Sequence, residues 1–292
     1  MTALFDRRCV VLLGEAPRAG QFVLATPDAL RIEGLRVAFK VTRDLKPEPN
    51  TAEISVVNLS PASRGAFVAK GARVVLLAGY PDATAQIFSG DVRTFAHEHQ
   101  GPDVVTKLTA GDGERAYAHA RVSASFRPGV SVGEVVGRTA RAIASDPTNA
   151  LAVAQTMAGQ FASGYVQHAQ ASTELTRLLA PRGFSWSIQD GRVEILGPGG
   201  ALADEGPLLS PETGLIGSPT LAAPEDAKKR PTMTVRSLLQ PGLRPGQRFS
   251  LRVADERPPR LQRLSGTYRA EKVTHHGDTH GGDWYTDVEV TT

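Results

Sequence analysis

Strict alternation of apolar and polar residues recurs at both ends of this 292-residue chain. Side chains of a β-strand point alternately to its two faces, so a period of two indicates strands with one buried face. The clearest instances are residues 35–41, 52–56, 74–78, 232–239 and 284–290. The sequence therefore predicts two β blocks, one at each end of the chain.

The middle of the chain has a different pattern. Ser131 and Glu134 form a capping box, and apolar residues then recur at helical spacing up to residue 143, before Pro147. A second helix is predicted from about residue 172 to Pro181, followed by a hairpin that turns at Asp190-Gly191. This segment is predicted to be a small helical and hairpin domain.

Together these patterns predict a mainly β protein with a small α+β domain. The predicted domains are a first β block over residues 1–115, a helix and hairpin domain over 116–205, and a second β block over 206–292. A short helix is predicted after Ser60-Pro61, because serine caps helices well and proline suits their first position.

Charge and cysteine usage exclude several classes of protein. The net charge of +3 is small and spread along the chain, which argues against nucleic-acid binding as the main function. The single cysteine, Cys9, lies in an apolar run and is predicted to be buried in the first strand. That run is too short for a membrane span or a signal peptide, so we expect folding in a reducing cytoplasm.

One cluster of side chains has the chemistry of a metal site. It comprises His275, His276, Asp278, His280 and Asp283. Imidazoles and carboxylates bind zinc and iron, but the order differs from the His-x-His-x-Asp-His motif of metallo-β-lactamases. Glycines at 277, 281 and 282 indicate a hairpin tip, and no metal ligand is predicted here.

Other candidate motifs are incomplete. His97, Glu98 and His99 fit an exposed strand end, and Gly197–Gly200 lacks the lysine of a phosphate-binding loop. Lys228–Arg230 is a short basic run in a predicted loop, and there is no Gly-x-Ser-x-Gly motif. We therefore predict that the protein is not an enzyme, with no catalytic residue and no cofactor.

Several segments in order along the chain are similar to a known family. They include Asn58-Leu59-Ser60 entering a helix, Ala78-Gly79-Tyr80, Ser89-Gly90-Asp91, Asp112-Gly113, the helix from Ser131, residues 175–195, 209–217 and 237–246, and residues 268–284 containing Asp283-Trp284. Taken together they resemble the baseplate hub proteins of contractile-tailed phages, including Mu-like phages. The resemblance covers about residues 30–292; residues 1–29 and 222–231 depart from it.

The resemblance implies a structural role in the virion. Such hubs are trimers in which each chain supplies two β-barrels of the tail-tube type, so that six similar barrels face the sixfold tube and the threefold underside receives a trimeric spike. Expected partners are the tail tube and its initiator proteins, the spike and the baseplate wedge proteins, with the tape-measure protein as a further candidate. DNA would only pass through the channel, and assembly would take place in the cytoplasm of the bacterial host.

Two alternatives from other classes stay open at this point. One is a metal-dependent hydrolase of the tail tip, which would use the histidine cluster. The other is a distal-tail or surface-binding module of a non-contractile phage or a related injection device, which would expose aromatic side chains. The hub hypothesis makes the further prediction that the two β blocks have matching strand topology, with the small domain outside their ring.

Overall fold

A computed structural model describes residues 6–15, 29–65, 72–144, 146–223, 231–254 and 263–291. The chain is mainly β, as predicted. Its strands are β1 Arg8–Glu15, β2 Leu30–Ile32, β3 Val37–Asp44, β4 Thr51–Val57, β5 Ala72–Gly79, β6 Ala85–Gln100, β7 Asp103–Gly111, β8 Arg121–Phe126, β9 Val130–Ser131, β10 Gln160–Phe161, β11 Tyr165–Gln170, β12 Ser185–Gln189, β13 Arg192–Leu196, β14 Glu205–Leu209, β15 Thr220–Ala222, β16 Thr232–Leu238, β17 Arg248–Leu251, β18 Gly266–Arg269, β19 Lys272–Asp278 and β20 Trp284–Thr291.

Helices are short and concentrate in the middle of the chain. They are α1 Pro61–Gly65, α2 Glu114–His119, α3 Val132–Ile143, α4 Thr148–Gln155 and α5 Ala171–Leu179. The predicted capping of α3 is confirmed, since the Ser131 hydroxyl accepts a hydrogen bond from the Glu134 amide at 3.1 Å. Within the described ranges, no helix is long and apolar enough to cross a membrane.

Eleven strands from both β blocks form one sheet. Their order is β15-β16-β20-β19-β3-β4-β7-β6-β5-β1-β2. The blocks meet where β19 pairs antiparallel with β3, from Lys272 opposite Asp44 to Asp278 opposite Ala38. Residues more than 200 positions apart in sequence are thus neighbours on one continuous surface.

The first block buries one core between two walls of the same sheet. Alternate residues of β3, β4 and β7 share this core with residues of β1, β5 and the first half of β6, and no residue of the described helices joins it. β6 can contribute to both walls because its register with β7 shifts between Val92 and Thr94. A bulge of this kind bends a strand and increases its twist.

The second block has the same two-walled form with a separate upper sheet. β16, β19 and β20 form the lower wall, and β14, β17 and β18 form a three-stranded sheet above it. Phe249 and Leu251 of β17 pack in one core with Val288 and Val290 of β20. The chain passes between the sheets at residues 270–271, between β18 and β19.

The predicted barrels are corrected in one respect, because the described hydrogen bonds close neither block into a barrel. In the first block, β3 would have to pair with the far edge strand to complete the circle. The edge of β3 is instead occupied by β19 of the second block. In the described part of the chain the first block therefore continues into the second block and does not close on itself.

The middle of the chain forms the third core. Val135, Val136 and Ala140 of α3 pack with Leu175 and Leu179 of α5, and the β12–β13 hairpin covers them with Trp186. The predicted turn of that hairpin is confirmed, and Asp190 adopts the left-handed conformation with φ 54°. The exact domain boundaries stay a prediction.

A buried polar network joins this hairpin to the first block. Arg43 of β3, only 2% exposed, donates from Nη2 to the Asp190 carboxylate at 2.7 Å and to Gln189 Oε1 at 3.2 Å. The Asp112 carboxylate accepts from the amides of Asp190 and Gly191, and burial raises its pKa above the usual range. Asn50 Nδ2 donates to the carbonyl of residue 188 at 2.8 Å. The network fixes the small domain against the sheet.

Candidate assembly surface

The histidine cluster singled out from the sequence does not converge on one point. His275 is fully buried on the core face of β19, and its Nδ1 lies 2.9 Å from Thr286 Oγ1. His276 points to the opposite face and stacks on Tyr285 with ring centroids 4.7 Å apart. Asp278 pairs with Arg36 at 2.8 Å. No group of three or more histidine, cysteine or acidic side chains in the described part of the chain is placed to hold a metal ion.

Burial makes His275 a probe of folding at acidic pH. Desolvation, helped by the positive charge of Arg43, lowers the pKa of His275 to about 3. The unfolded chain takes up this proton near pH 6.5, so stability present above that pH is lost as the pH falls towards 3. When the pH falls from 7.5 to 5.0, the free energy of unfolding should decrease by about 2 kcal/mol less in His275→Gln than in the wild type.

Urea denaturation at the two pH values measures this difference. The matched control is His168→Gln, because His168 is exposed on β11 and the same substitution is made there outside the core. Equal losses for the wild type and His275→Gln would show that His275 does not resist protonation in the folded protein.

The other sequence candidates lie apart. Cys9 is buried in β1, as predicted, and burial raises the pKa of its thiol to about 12. His99 is exposed near the end of β6, and Gly197–Gly200 follows β13 without opening a helix. Lys228–Arg230 lies outside the described residues. These residues form no shared site.

Two four-stranded units follow one another in the large sheet. The first unit is β3, β4, β7 and the second half of β6, and the second unit is β15, β16, β20 and β19. In each unit, the first and second strands in sequence order are neighbours in the sheet. The fourth strand in sequence order pairs with the second, and the third pairs with the fourth and lies at the far side of the unit. All neighbours are antiparallel, so corresponding strands of the two units run in the same direction.

A repeated side-chain pair fixes the alignment between the units. His97 on β6 lies opposite Thr106 on β7, with Nδ1 3.0 Å from Oγ1. His275 on β19 lies opposite Thr286 on β20, with the same two atoms 2.9 Å apart. A second match is the cross-strand pair of Lys107 with Glu98 at 2.6 Å, whose counterpart is Asp287 with His276 at 4.0 Å.

The strands that pack across the core from each unit, in the upper wall of each block, also correspond, with one difference. β5 and the first half of β6 form a hairpin flanked by β1, and β17 and β18 form a hairpin flanked by β14. β1 is antiparallel to β5, however, whereas β14 is parallel to β17. The predicted match of topology therefore holds in the lower wall and is incomplete in the upper one.

The face of the two units opposite the core is polar. Lys40 and Glu53 lie side by side on β3 and β4, and Lys272 pairs with Glu289 at 2.6 Å. Arg236 of β16 donates to the Asp287 carboxylate at 2.7 Å. Among these described residues, cations therefore lie next to carboxylates.

Both outer margins of this eight-stranded surface are exposed. At one margin, the three residues of β15 are exposed, including Leu221 at 54%. At the other, β5 pairs with β6 only as far as Asp91, and no described strand continues that pairing to Gln100. The second half of β6 there includes Phe95, which is 38% exposed. The repeated His–Thr pair was the available sequence signal for these units, and the alternation of single strands did not reveal it.

Comparison with known proteins identifies the fold. No family model matches the sequence, and no curated protein matches it significantly. Among solved structures, a tail protein from Neisseria meningitidis MC58 is similar at a TM-score of 0.62 and 10% identity, covering 99% of this chain and 97% of that one. The 43 kDa tail protein of prophage MuSo2 from Shewanella oneidensis gives the same TM-score and identity, with 96% of both chains covered.

A third similar structure comes from a secretion system. The E. coli c3393 protein, a type VI secretion component with structural similarity to the T4 bacteriophage tail proteins gp27 and gp5, has a TM-score of 0.55 at 14% identity. The similarity covers 88% of this chain and 73% of that one. The chain has the fold of these tail and secretion proteins.

Proposed function

We propose that this protein is a structural hub of a phage tail baseplate, a trimer that adapts a sixfold tail tube to a threefold central spike. The observation that carries the proposal is the pair of four-stranded units in tandem in one sheet. Three chains supply six such units, and corresponding strands run in the same direction in the two units of a chain. A closed ring requires matched contacts between successive units, and two units per chain meet this requirement for a sixfold neighbour.

The polar face of the units suits the wall of a channel. On this face Lys272 is paired with Glu289, and Arg236 with Asp287. A polyanion binds tightly where unpaired cations can displace its counterions. Alternating charge favours passage of DNA over retention of DNA.

The two alternative functions receive less support from the geometry. A hydrolase needs a ligand set, and His275 and His276 point to opposite faces of β19. A surface-binding module would present aromatic side chains, and both tryptophans, Trp186 and Trp284, are buried. A structural, non-enzymatic role is the function that fits these residues.

The proposal predicts a trimer of about 93 kDa, three times the chain mass of 31.0 kDa. Light scattering on the purified protein, alone and mixed with the spike protein of the same virion, measures this mass. Class averages from electron microscopy should show six similar lobes around a central hole. A chain that stays monomeric in the presence of its spike would contradict the hub function.

A further inference from the structure

Two aromatic rings and two arginines stack together on the small domain. The rings of Phe161 and Tyr165 contact each other with centroids 4.2 Å apart. The guanidinium of Arg182 lies over Phe161, 6.0 Å from the ring centroid, and that of Arg177 lies over Tyr165 at 5.5 Å. These four side chains are called the Arg–aromatic cluster below. Both rings therefore find their stacking partners within the chain.

The cluster lies at the surface of the domain. Phe161 ends β10 and Tyr165 begins β11, so the short turn between these strands brings the two rings together. Both rings are partly buried against the core of the small domain. Arg177 on α5 and Arg182 just after it are exposed, with 61% of the Arg177 side chain accessible. A partner can therefore reach the guanidinium groups.

The two arginines differ in how their charges are balanced. The buried Glu174 carboxylate accepts hydrogen bonds from Arg177 Nε at 3.1 Å and from the Tyr165 hydroxyl at 2.7 Å. Arg182 donates from Nη1 to the carbonyl of Leu178 at 2.7 Å and forms no ion pair in the described part of the chain. Arg182 thus keeps an uncompensated charge, with N–H donors left at Nε and Nη2.

The rest of the small domain supplies few free carboxylates. Residues 116–196 contain seven arginines, no lysine and five carboxylates. Four of these carboxylates are in ion pairs, namely Asp146 with Arg192, Glu174 with Arg177, Asp190 with Arg43 and Glu194 with Arg244. The small domain therefore exposes more positive than negative charge, although the whole chain carries only +3.

We propose that the Arg–aromatic cluster is a docking site for an acidic segment of another protein. A carboxylate of that segment would pair with Arg182, and an apolar side chain beside it would cover the exposed edge of Phe161. Ring edges carry partial positive charge, like the guanidinium groups, so the cluster attracts carboxylate oxygens. Tyrosine and arginine are also enriched among the residues that contribute most to binding energy.

Nucleic acid fits the cluster less well than an acidic protein. Proteins that bind single strands stack bases on aromatic side chains, and here each ring already stacks on the other ring and on a guanidinium. The inference goes beyond the proposed hub function and does not depend on the trimer.

Fluorescence anisotropy at low salt tests the proposal. The probe is a fluorescein-labelled peptide of glutamate, leucine and glycine, compared with the same peptide carrying lysine for every glutamate and with labelled oligothymidine. The glutamate peptide should bind the wild type, and Arg182→Glu should weaken its binding by at least about 10-fold. The lysine peptide and oligothymidine should not bind.

Two further variants make the test specific. Arg182→Gln removes the charge but keeps a donor for the Leu178 carbonyl, so it should also weaken binding without disturbing the end of α5. Arg138→Glu is the matched control, because Arg138 is exposed on α3 and forms no ion pair in the described ranges. The same change of charge there should leave the affinity nearly unchanged. Thermal unfolding confirms that each variant is folded.

Each outcome decides the proposal. Binding of the glutamate peptide that both Arg182 variants weaken and Arg138→Glu retains supports it. An equal loss in Arg138→Glu means diffuse attraction to the whole domain and overturns it. Oligothymidine that displaces the peptide assigns the cluster to nucleic acid, and a glutamate peptide that does not bind leaves no acidic docking site; either result also overturns it. The trimer mass is measured separately, so none of these results alters the test of the hub function.

Discussion

Replacing Arg43 with alanine is expected to lower the free energy of unfolding by about 3–5 kcal/mol, the usual cost of breaking a buried ion pair by removing one partner. The guanidinium donates to Asp190, Gln189 and the carbonyl of residue 87. Without it, the Asp190 carboxylate loses its cation beside the buried Asp112. Arg43→Lys should recover only part of the lost stability, because it restores the positive charge but a single ammonium group cannot make the several hydrogen bonds of the planar guanidinium.

Urea or guanidinium denaturation of the purified variants measures this effect. Arg31→Ala is the matched control, since Arg31 pairs with Glu33 at 2.7 Å but is more than half exposed. Exposed pairs of this kind contribute about 0–1 kcal/mol. A loss below 1 kcal/mol for Arg43→Ala would mean that the network does not hold the small domain to the sheet.

Replacing Leu221 with aspartate is expected to raise the dissociation constant of the trimer about 100-fold, which corresponds to about 3 kcal/mol. Leu221 is an exposed apolar residue on β15, the strand at one edge of the large sheet, and a carboxylate would be costly to bury where the proposed trimer covers this edge. In the single chain Leu221 is already 54% exposed, so folding should be unaffected. Mass measurement over a dilution series gives the dissociation constant of the trimer, and thermal unfolding of the monomer shows whether the single chain is still stably folded.

Val166→Asp is the control for that substitution. Val166 is 67% exposed on β11 of the small domain, away from both margins of the sheet. The same change of charge there should leave the trimer intact. If both variants dissociate equally, the effect is one of net charge and β15 is not part of the interface.

Local patterns in the sequence predicted most individual elements. Alternation at residues 35–41 and 52–56 corresponds to β3 and β4, and the capping box at Ser131 begins α3. These predictions succeed because side-chain direction and helix capping depend on neighbours within a few residues.

Features that depend on distant partners were not predicted. Arg43 continues the apolar face of β3, and its burial depends on Asp190, 147 residues away. Helix α4 was missed because its buried residues, Ala150 and Ala154, are small and give little periodicity; its backbone at Ala154 lies close to Gly133 of α3. The pairing of β19 with β3 joins the two ends of the chain, and no local pattern specifies it.

The covalent link between the two units changes the thermodynamics of the proposed ring. Six separate subunits would need five association steps to form one ring, and three two-unit chains need only two. Each step costs about 4–15 kcal/mol in translational and rotational freedom. The β19–β3 seam is intramolecular, so its effective concentration does not fall on dilution. The ring would therefore open only at its three intermolecular seams, and dilution would release whole chains, each carrying one unit of each kind.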